Sequence, residues 1–224
     1  MNTTILGKIL GGLVTVCIPV VICVFSILIL LSPVFINLEY RLPNFPVDNY
    51  GFSTEERLEF GNLTRRYLVT NDSLDNLREL EFDTGDPIYK ESELKHLEDV
   101  KIVIKSVIKV FGLAVIIVVA SGVFARSQDW WKRYIQSLAR GGWLTAGLLG
   151  MILFLSIVSF QSLFTNFHRV FFEGDSWIFY YSDTLIRLFP IRFWQDVFIV
   201  FGVSTLAGGV LLGWLLPKLK WNVS

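Results

Sequence analysis

Ile9 to Ile36 reads ILGGLVTVCIPVVICVFSILILLSPVFI, an apolar stretch without one charged side chain. A helix of about 20 mostly apolar residues crosses the ~30 Å hydrocarbon core of a bilayer, so this stretch is read as a membrane span. Lys8 precedes it, as a basic residue precedes the apolar core of a signal peptide. The run is far longer than the roughly 7–15 residues of such a core, and no small-residue cleavage site follows. It is therefore expected to remain as an anchor. Pro19 lacks an N–H and its ring crowds the carbonyl of Thr15, so a kink is expected there.

Three further segments repeat the pattern: about 107–125, about 143–164 and about 197–216. The hydrophobic fraction of 53% and the mean hydropathy of +0.54 lie above those of an ordinary soluble domain. The expected fold is an all-α membrane protein with four transmembrane helices in a single integral membrane domain covering 1–224. Two segments outside the hydrocarbon remain, a cap between helices 1 and 2 (about 37–100) and an aromatic-rich segment between helices 3 and 4 (about 165–195). The formal charge is zero and no basic patch stands apart from the loops, so nucleic acid is not an expected partner.

Lysine and arginine placement orients the chain. Lys8 lies before span one, Arg126, Lys132, Arg133 and Arg140 lie between spans two and three, and Lys218 and Lys220 follow span four. Asp129 is the only acid among these regions. The positive-inside rule puts them in the cytoplasm, with both termini cytoplasmic and the cap outside. The cap carries 15 acidic against 7 basic residues. Within it, Ser53-Thr54-Glu55-Glu56 reads as a capping box opening a short helix, with Leu58, Leu63 and Tyr67 on its apolar side. Asp83-Thr84-Gly85-Asp86-Pro87 reads as a turn. A further helix is expected to start near Ser92 and run directly into span two. Asp183 is expected to open a short helix that ends before Pro190.

The only two histidines, His96 and His168, fall where two spans leave the hydrocarbon on the same side. Glu93, His96 and Asp99 follow one another at three-residue spacing, which places them on one helical face. A carboxylate there could hold the imidazole in one tautomer, and solvated charges on an acidic loop would give the same pattern. Lys101, Lys105 and Lys109 form a second stripe, open to two readings: snorkelling to the interface, or contact with a lipid phosphate or an acidic partner. His168 ends the uncharged run from Trp143 to Phe167, with Asp175 and Trp177 close behind. The surrounding aromatic residues read as an interfacial belt.

Other classes of chemistry find little support. Cys17 and Cys23 both sit in the first span and read as packing residues, which leaves no disulfide framework or C-x-x-C metal site. No H-E-x-x-H, phosphate-binding loop or dinucleotide fingerprint is present. Gly202-Val203-Ser204-Thr205-Leu206 fails the nucleophile-elbow pattern at its last position. Gly209 and Gly213 form a GxxxG, read as helix packing.

Tyr89-Lys90-Glu91-Ser92-Glu93-Leu94-Lys95-His96-Leu97-Glu98-Asp99-Val100-Lys101 resembles the Lit-type lipoprotein intramolecular transacylases of bacteria. So do Phe167-His168-Arg169-Val170-Phe171-Phe172 with Trp177, and Asp183-Thr184-Leu185-Ile186-Arg187-Leu188-Phe189-Pro190. The resemblance covers nearly the whole chain. It implies an acyltransferase of the bacterial cytoplasmic membrane, with its active site at the outer face and no bound cofactor or metal. Its substrate would be a diacylated lipoprotein embedded in membrane lipid. The acyl chain would pass from the sn-2 ester of the diacylglyceryl-cysteine to the α-amino group of that cysteine, leaving a lyso-form lipoprotein. His96 and His168 match the family's histidines. Glu93, Asp99 and Asp175 would orient them, and Lys101, Lys105, Arg169 and Trp177 are head-group candidates. A non-enzymatic membrane protein whose acidic cap binds a partner, and a metal-dependent membrane hydrolase, remain as alternatives.

Overall fold

The computed structural model describes residues 3–128 and 130–218; Asp129 and Lys220, two of the charges counted above, lie outside them. Among the described residues the regular structure is helical: α1 (Thr3–Leu30), α2 (Pro33–Glu39), α3 (Thr54–Val69), α4 (Asp75–Arg78), α5 (Glu91–Ser127), α6 (Trp131–Val158), α7 (Phe160–Phe171), α8 (Thr184–Leu188) and α9 (Ile191–Leu215), which ends in a 3₁₀ turn. Four stretches are long and apolar enough to cross a membrane: Ile5–Leu30, Glu91–Ser127, Trp131–Leu155 and Ile191–Lys218. The chain is a multi-pass membrane protein of all-α class.

The helix ends differ from the apolar runs for local reasons. α1 runs unbroken through Pro19 but stops at Leu30, short of Ile36. The residue before a proline is pushed out of the α region, and Ser32, before Pro33, is extended (φ −76°, ψ 152°) and caps α2 by accepting from the Phe35 N–H. α6 starts at Trp131, not Trp143, so Lys132, Arg133 and Arg140 lie on the helix itself. The uncharged run toward His168 is cut at Ser159, whose hydroxyl caps a separate helix, α7. α5, with 37 residues, is about 55 Å long at 1.5 Å per residue. That exceeds the hydrocarbon thickness, so its polar first turns extend beyond its apolar part.

The chain divides into two compact units. One contains residues up to Ile27, Val107–Ile157 and residues from Ile199. Val14, Ile18, Ala125, Tyr134 and Ile135 are its core, and the Tyr134 hydroxyl donates to the Val118 carbonyl at 3.0 Å. Here the GxxxG is a helix crossing: a Cβ on Gly142 would lie 2.6 Å from the Gly209 carbonyl oxygen and 2.7 Å from the Gly213 nitrogen.

The other unit comprises Leu28–Ser106 and Val158–Phe198. Its core gathers Tyr67, Leu77, Tyr89, Leu94, Leu97 and Leu188. The capping box forms: Ser53 accepts from the Glu56 N–H, and the Glu56 carboxylate accepts from the Ser53 N–H. Gly61, inside α3, lets Ile36 approach; a Cβ there would lie 3.0 Å from the Ile36 Cδ1. The Asp83–Pro87 turn closes with Gly85 at φ +81°, the Phe82 N–H donating to the Asp86 carbonyl at 2.8 Å.

Two arginines tie the surrounding loops down. Arg57 donates to the Arg187 and Pro46 carbonyls at 3.0 and 2.6 Å and lies against the rings of Tyr40 and Phe45. Arg187 grips Asp48 with two nitrogens, at 3.1 and 3.0 Å. Burial alone would raise the Asp48 carboxyl, but Arg187 and the Phe52 and Tyr50 amides outweigh it and hold that carboxyl below its ordinary range.

Candidate active site

His96 lies on the second turn of α5, which the Lys90 and Glu93 positions initiate. His168 lies in the last turn of α7, where its carbonyl accepts from the Phe172 N–H as the helix ends. Both side chains are buried, each 8% exposed. Their rings stand 6.3 Å apart, centroid to centroid, with planes 22° from parallel.

Aromatic side chains enclose the pair. Phe172 and Phe179 meet His96 edge-on at 4.8 and 5.4 Å. Phe164 and Trp177 lie against His168 at 4.2 and 5.0 Å, and Phe172 also contacts it at 5.7 Å. Trp177 is held by its own N–H, which donates to the Gly174 carbonyl at 3.1 Å. That turn carries Gly174 at φ +58°, a left-handed conformation that glycine adopts without penalty.

The two imidazoles are held differently. His168 Nδ1 lies 2.8 Å from the Phe164 carbonyl oxygen. A carbonyl only accepts, so Nδ1 carries the proton in this bond and Nε2 keeps its lone pair. Burial pushes the His168 pKa below its ordinary value, partly offset by that hydrogen bond. The imidazole is therefore neutral near pH 7. His96 Nδ1 is buried with no hydrogen-bond partner. A buried imidazole pair walled by aromatic rings can take up and release one proton.

The remaining sequence-predicted residues are placed as follows. Among the described residues, no carboxylate hydrogen-bonds either imidazole. Glu93 is fully buried, but its carboxylate accepts from the Leu185 and Lys90 N–H groups at 2.7 and 2.9 Å. Asp99 is half-buried and Asp175 exposed; the Asp175 backbone carbonyl accepts from the Ile178 N–H at 3.0 Å. The Lys101 ammonium is occupied within the protein, donating to the Asp72 carbonyl at 2.8 Å and lying 3.8 Å from the Tyr67 ring centroid. Lys105 and Arg169 are exposed, and Trp177 is half-buried against His168. Phe164, Phe172 and Phe179, which form the walls, are not among the site residues expected from the sequence. Their signal was the aromatic density of this stretch, which by itself reads equally as an interfacial belt. No group of three or more His, Cys, Asp and Glu converges among the described residues.

The sequence model of the family described as lipoprotein intramolecular transacylase Lit matches residues 12–194. An uncharacterized protein of Aquifex aeolicus (strain VF5) is 31% identical over 216 residues, 91% of this chain and 94% of that protein. The solved structure of the membrane-integral lipoprotein intramolecular transacylase Lit from Bacillus cereus superposes with a TM-score of 0.80 at 21% identity, covering 96% of this chain and 98% of that one. A variant of that enzyme with one histidine replaced by alanine superposes with a TM-score of 0.70 at 19% identity, covering 96% and 93%.

Proposed function

The chain belongs to the family of lipoprotein intramolecular transacylases, and from that membership we propose that it moves an acyl chain within a diacylated lipoprotein. The acyl group leaves the sn-2 ester of the diacylglyceryl-cysteine and forms an amide with the α-amino group of the same cysteine, giving a lyso-form lipoprotein. The observation that carries this reading is the meeting of the chain's only two histidines, ring against ring at 6.3 Å, in an aromatic enclosure.

The chemistry needs two proton transfers and no enzyme nucleophile. Amine and ester belong to one molecule, so the enzyme gains by holding them together, an effect worth up to roughly 7–11 kcal/mol for well-oriented groups. We assign the base to His168, because the Phe164 carbonyl pins its Nδ1–H and leaves Nε2 free to accept. His168 takes the proton released as the amine attacks the ester carbonyl. The C–N bond forms, the bond between the acyl carbon and the glyceryl oxygen breaks, and the proton taken by His168 passes through His96 to the departing alkoxide. The pair ends as it began. Each proton role contributes about 10²–10⁴-fold.

The aromatic walls supply the selectivity. Water would hydrolyse the same ester, and a closed apolar site keeps it from competing with the amine. Lys105, Arg169 and Trp177 are proposed to meet the lipid head group or glyceryl region. The site faces the outer side of the bacterial cytoplasmic membrane and both termini face the cytoplasm, in keeping with the basic residues on the opposite segments. The reading is tested by mass spectrometry of a lipoprotein N-terminus from cells expressing the chain. Lyso-form lipoprotein is the expected product. Unaltered diacylglyceryl lipoprotein would overturn the reading, and activity abolished by a chelator would replace it with a metal-dependent one.

A further inference from the structure

Glu93 is fully buried, one turn before His96, yet it makes no hydrogen bond to that imidazole. Its two oxygens take backbone donors at the starts of two different helices. One accepts the Lys90 N–H at 2.9 Å, at the start of α5. The other accepts the Leu185 N–H at 2.7 Å, in the first turn of α8. The opening N–H groups of a helix have no partner within it, and a capping side chain just before the helix ordinarily takes one. Asp183 holds that position in α8 and makes no such bond. Glu93 caps α8 from another helix instead.

The relieved Asp183 joins the same connection. Its carboxylate accepts from the Tyr180 N–H at 2.9 Å and pairs with the Lys90 ammonium. The Thr184 hydroxyl donates to the Ile88 carbonyl. Asp183, Thr184 and Leu185 are thus tied to Lys90, Ile88 and Glu93, and Asp183 in turn holds Tyr180. Phe179, immediately before this tied stretch, meets His96 edge-on.

We propose that Glu93 is a positioning residue, which clasps the start of α8 to the start of α5 and thereby holds Phe179 over His96. The proposal rests on the acid–base reading of His96. Both oxygens of this buried side chain have donors, as a buried polar group requires. Loss of the carboxylate leaves the Leu185 amide without its partner and frees the segment that carries Phe179.

The test uses the full chain in detergent or vesicles. His96 and His168 are the only histidines, so diethyl pyrocarbonate labelling read by peptide mass spectrometry reports each imidazole separately, without an activity assay. In membrane-inserted Glu93→Ala, His96 is expected to label several-fold faster than in the native chain. The turnover lost by Glu93→Ala is expected to be absent in a Phe179→Ala background, because both changes remove the same contact. Glu93→Gln retains one carbonyl oxygen and is expected to fall between native and alanine. Unchanged His96 labelling, or turnover losses that simply multiply in the double variant, would overturn the proposal. If Glu93→Ala does not insert, Lys90→Met loosens the same clasp from its exposed side, and the same labelling result decides. A native chain that fails to form lyso-lipoprotein defeats the functional reading alone; the labelling still decides the clasp.

Discussion

His168 Nδ1 lies 2.8 Å from the carbonyl oxygen of Phe164, one helical turn earlier. That bond sets the tautomer of His168 from within its own helix. A second group to orient the imidazole, such as the carboxylate of a serine-protease triad, is therefore unnecessary.

Replacing either histidine removes a proton carrier. His96→Ala and His168→Ala, each still membrane-inserted, are expected to lower transacylation by at least about 10²-fold. The measurement is the ratio of lyso-form to diacylglyceryl lipoprotein by mass spectrometry. Retention of near-native conversion by either variant would remove that residue from the mechanism.

The pH dependence follows from the burial of His168. Its folded pKa lies below the ordinary histidine value, so the base remains competent somewhat below pH 6.5 and the acid limb of the rate profile falls there. The same group affects stability with a definite sign. Above the unfolded pKa both states are neutral and it contributes nothing. As pH falls through about 6.5 the unfolded chain gains a proton that the folded site refuses, so stability declines. A pH–rate profile of the enzyme in vesicles checks the first point. Conversion that is half lost at or above pH 6.5 would contradict it.

Arg187 and Asp48 are nearly inaccessible, with side chains 8% and 2% exposed. Removing one partner of such a pair strands the other charge, at a cost of about 3–5 kcal/mol. Arg187→Met and Asp48→Asn are each expected to lower the thermal midpoint in detergent by many degrees. The carboxyl pKa is lowered in the folded state, so this stabilisation is complete above the unfolded value of about 3.9 and lost as pH falls through the folded value. A midpoint within a degree or two of native at pH 7 would refute the assignment.

The Gly142 crossing admits no side chain, because the nearest atoms are the backbone of Gly209 and Gly213. Gly142→Ala is expected to destabilise by about 1–3 kcal/mol. Gly12→Ala and Gly147→Ala, where a Cβ meets nothing within 4 Å, serve as matched controls. Thermal unfolding of the three variants compares them; equal midpoints would show that the close crossing is not what limits stability.

Where one helix turn or one apolar run contains the whole cause, the sequence was readable. The Ser53–Glu56 box, the Gly85 turn, the α8 segment before Pro190 and the four apolar runs all formed from neighbours in the chain. Where a polar group chooses among distant partners, spacing does not name them. The Glu93–His96–Asp99 stripe is real as a helical face, yet Glu93 spends its oxygens on Leu185 and Lys90. Lys101, which spacing offers to a phosphate, is engaged by Asp72 and Tyr67.

By itself, then, the sequence determined a four-span all-α membrane protein with its polar segments in two places, because lipid demands long apolar helices and records that demand in composition. Only the tertiary structure decided that His96 and His168 meet, that phenylalanines from α7 and from the stretch before α8 enclose them, and that the buried Glu93 joins the start of α5 to the start of α8. Those contacts join residues far apart in the chain, and local periodicity carries no record of which distant surface a side chain will find.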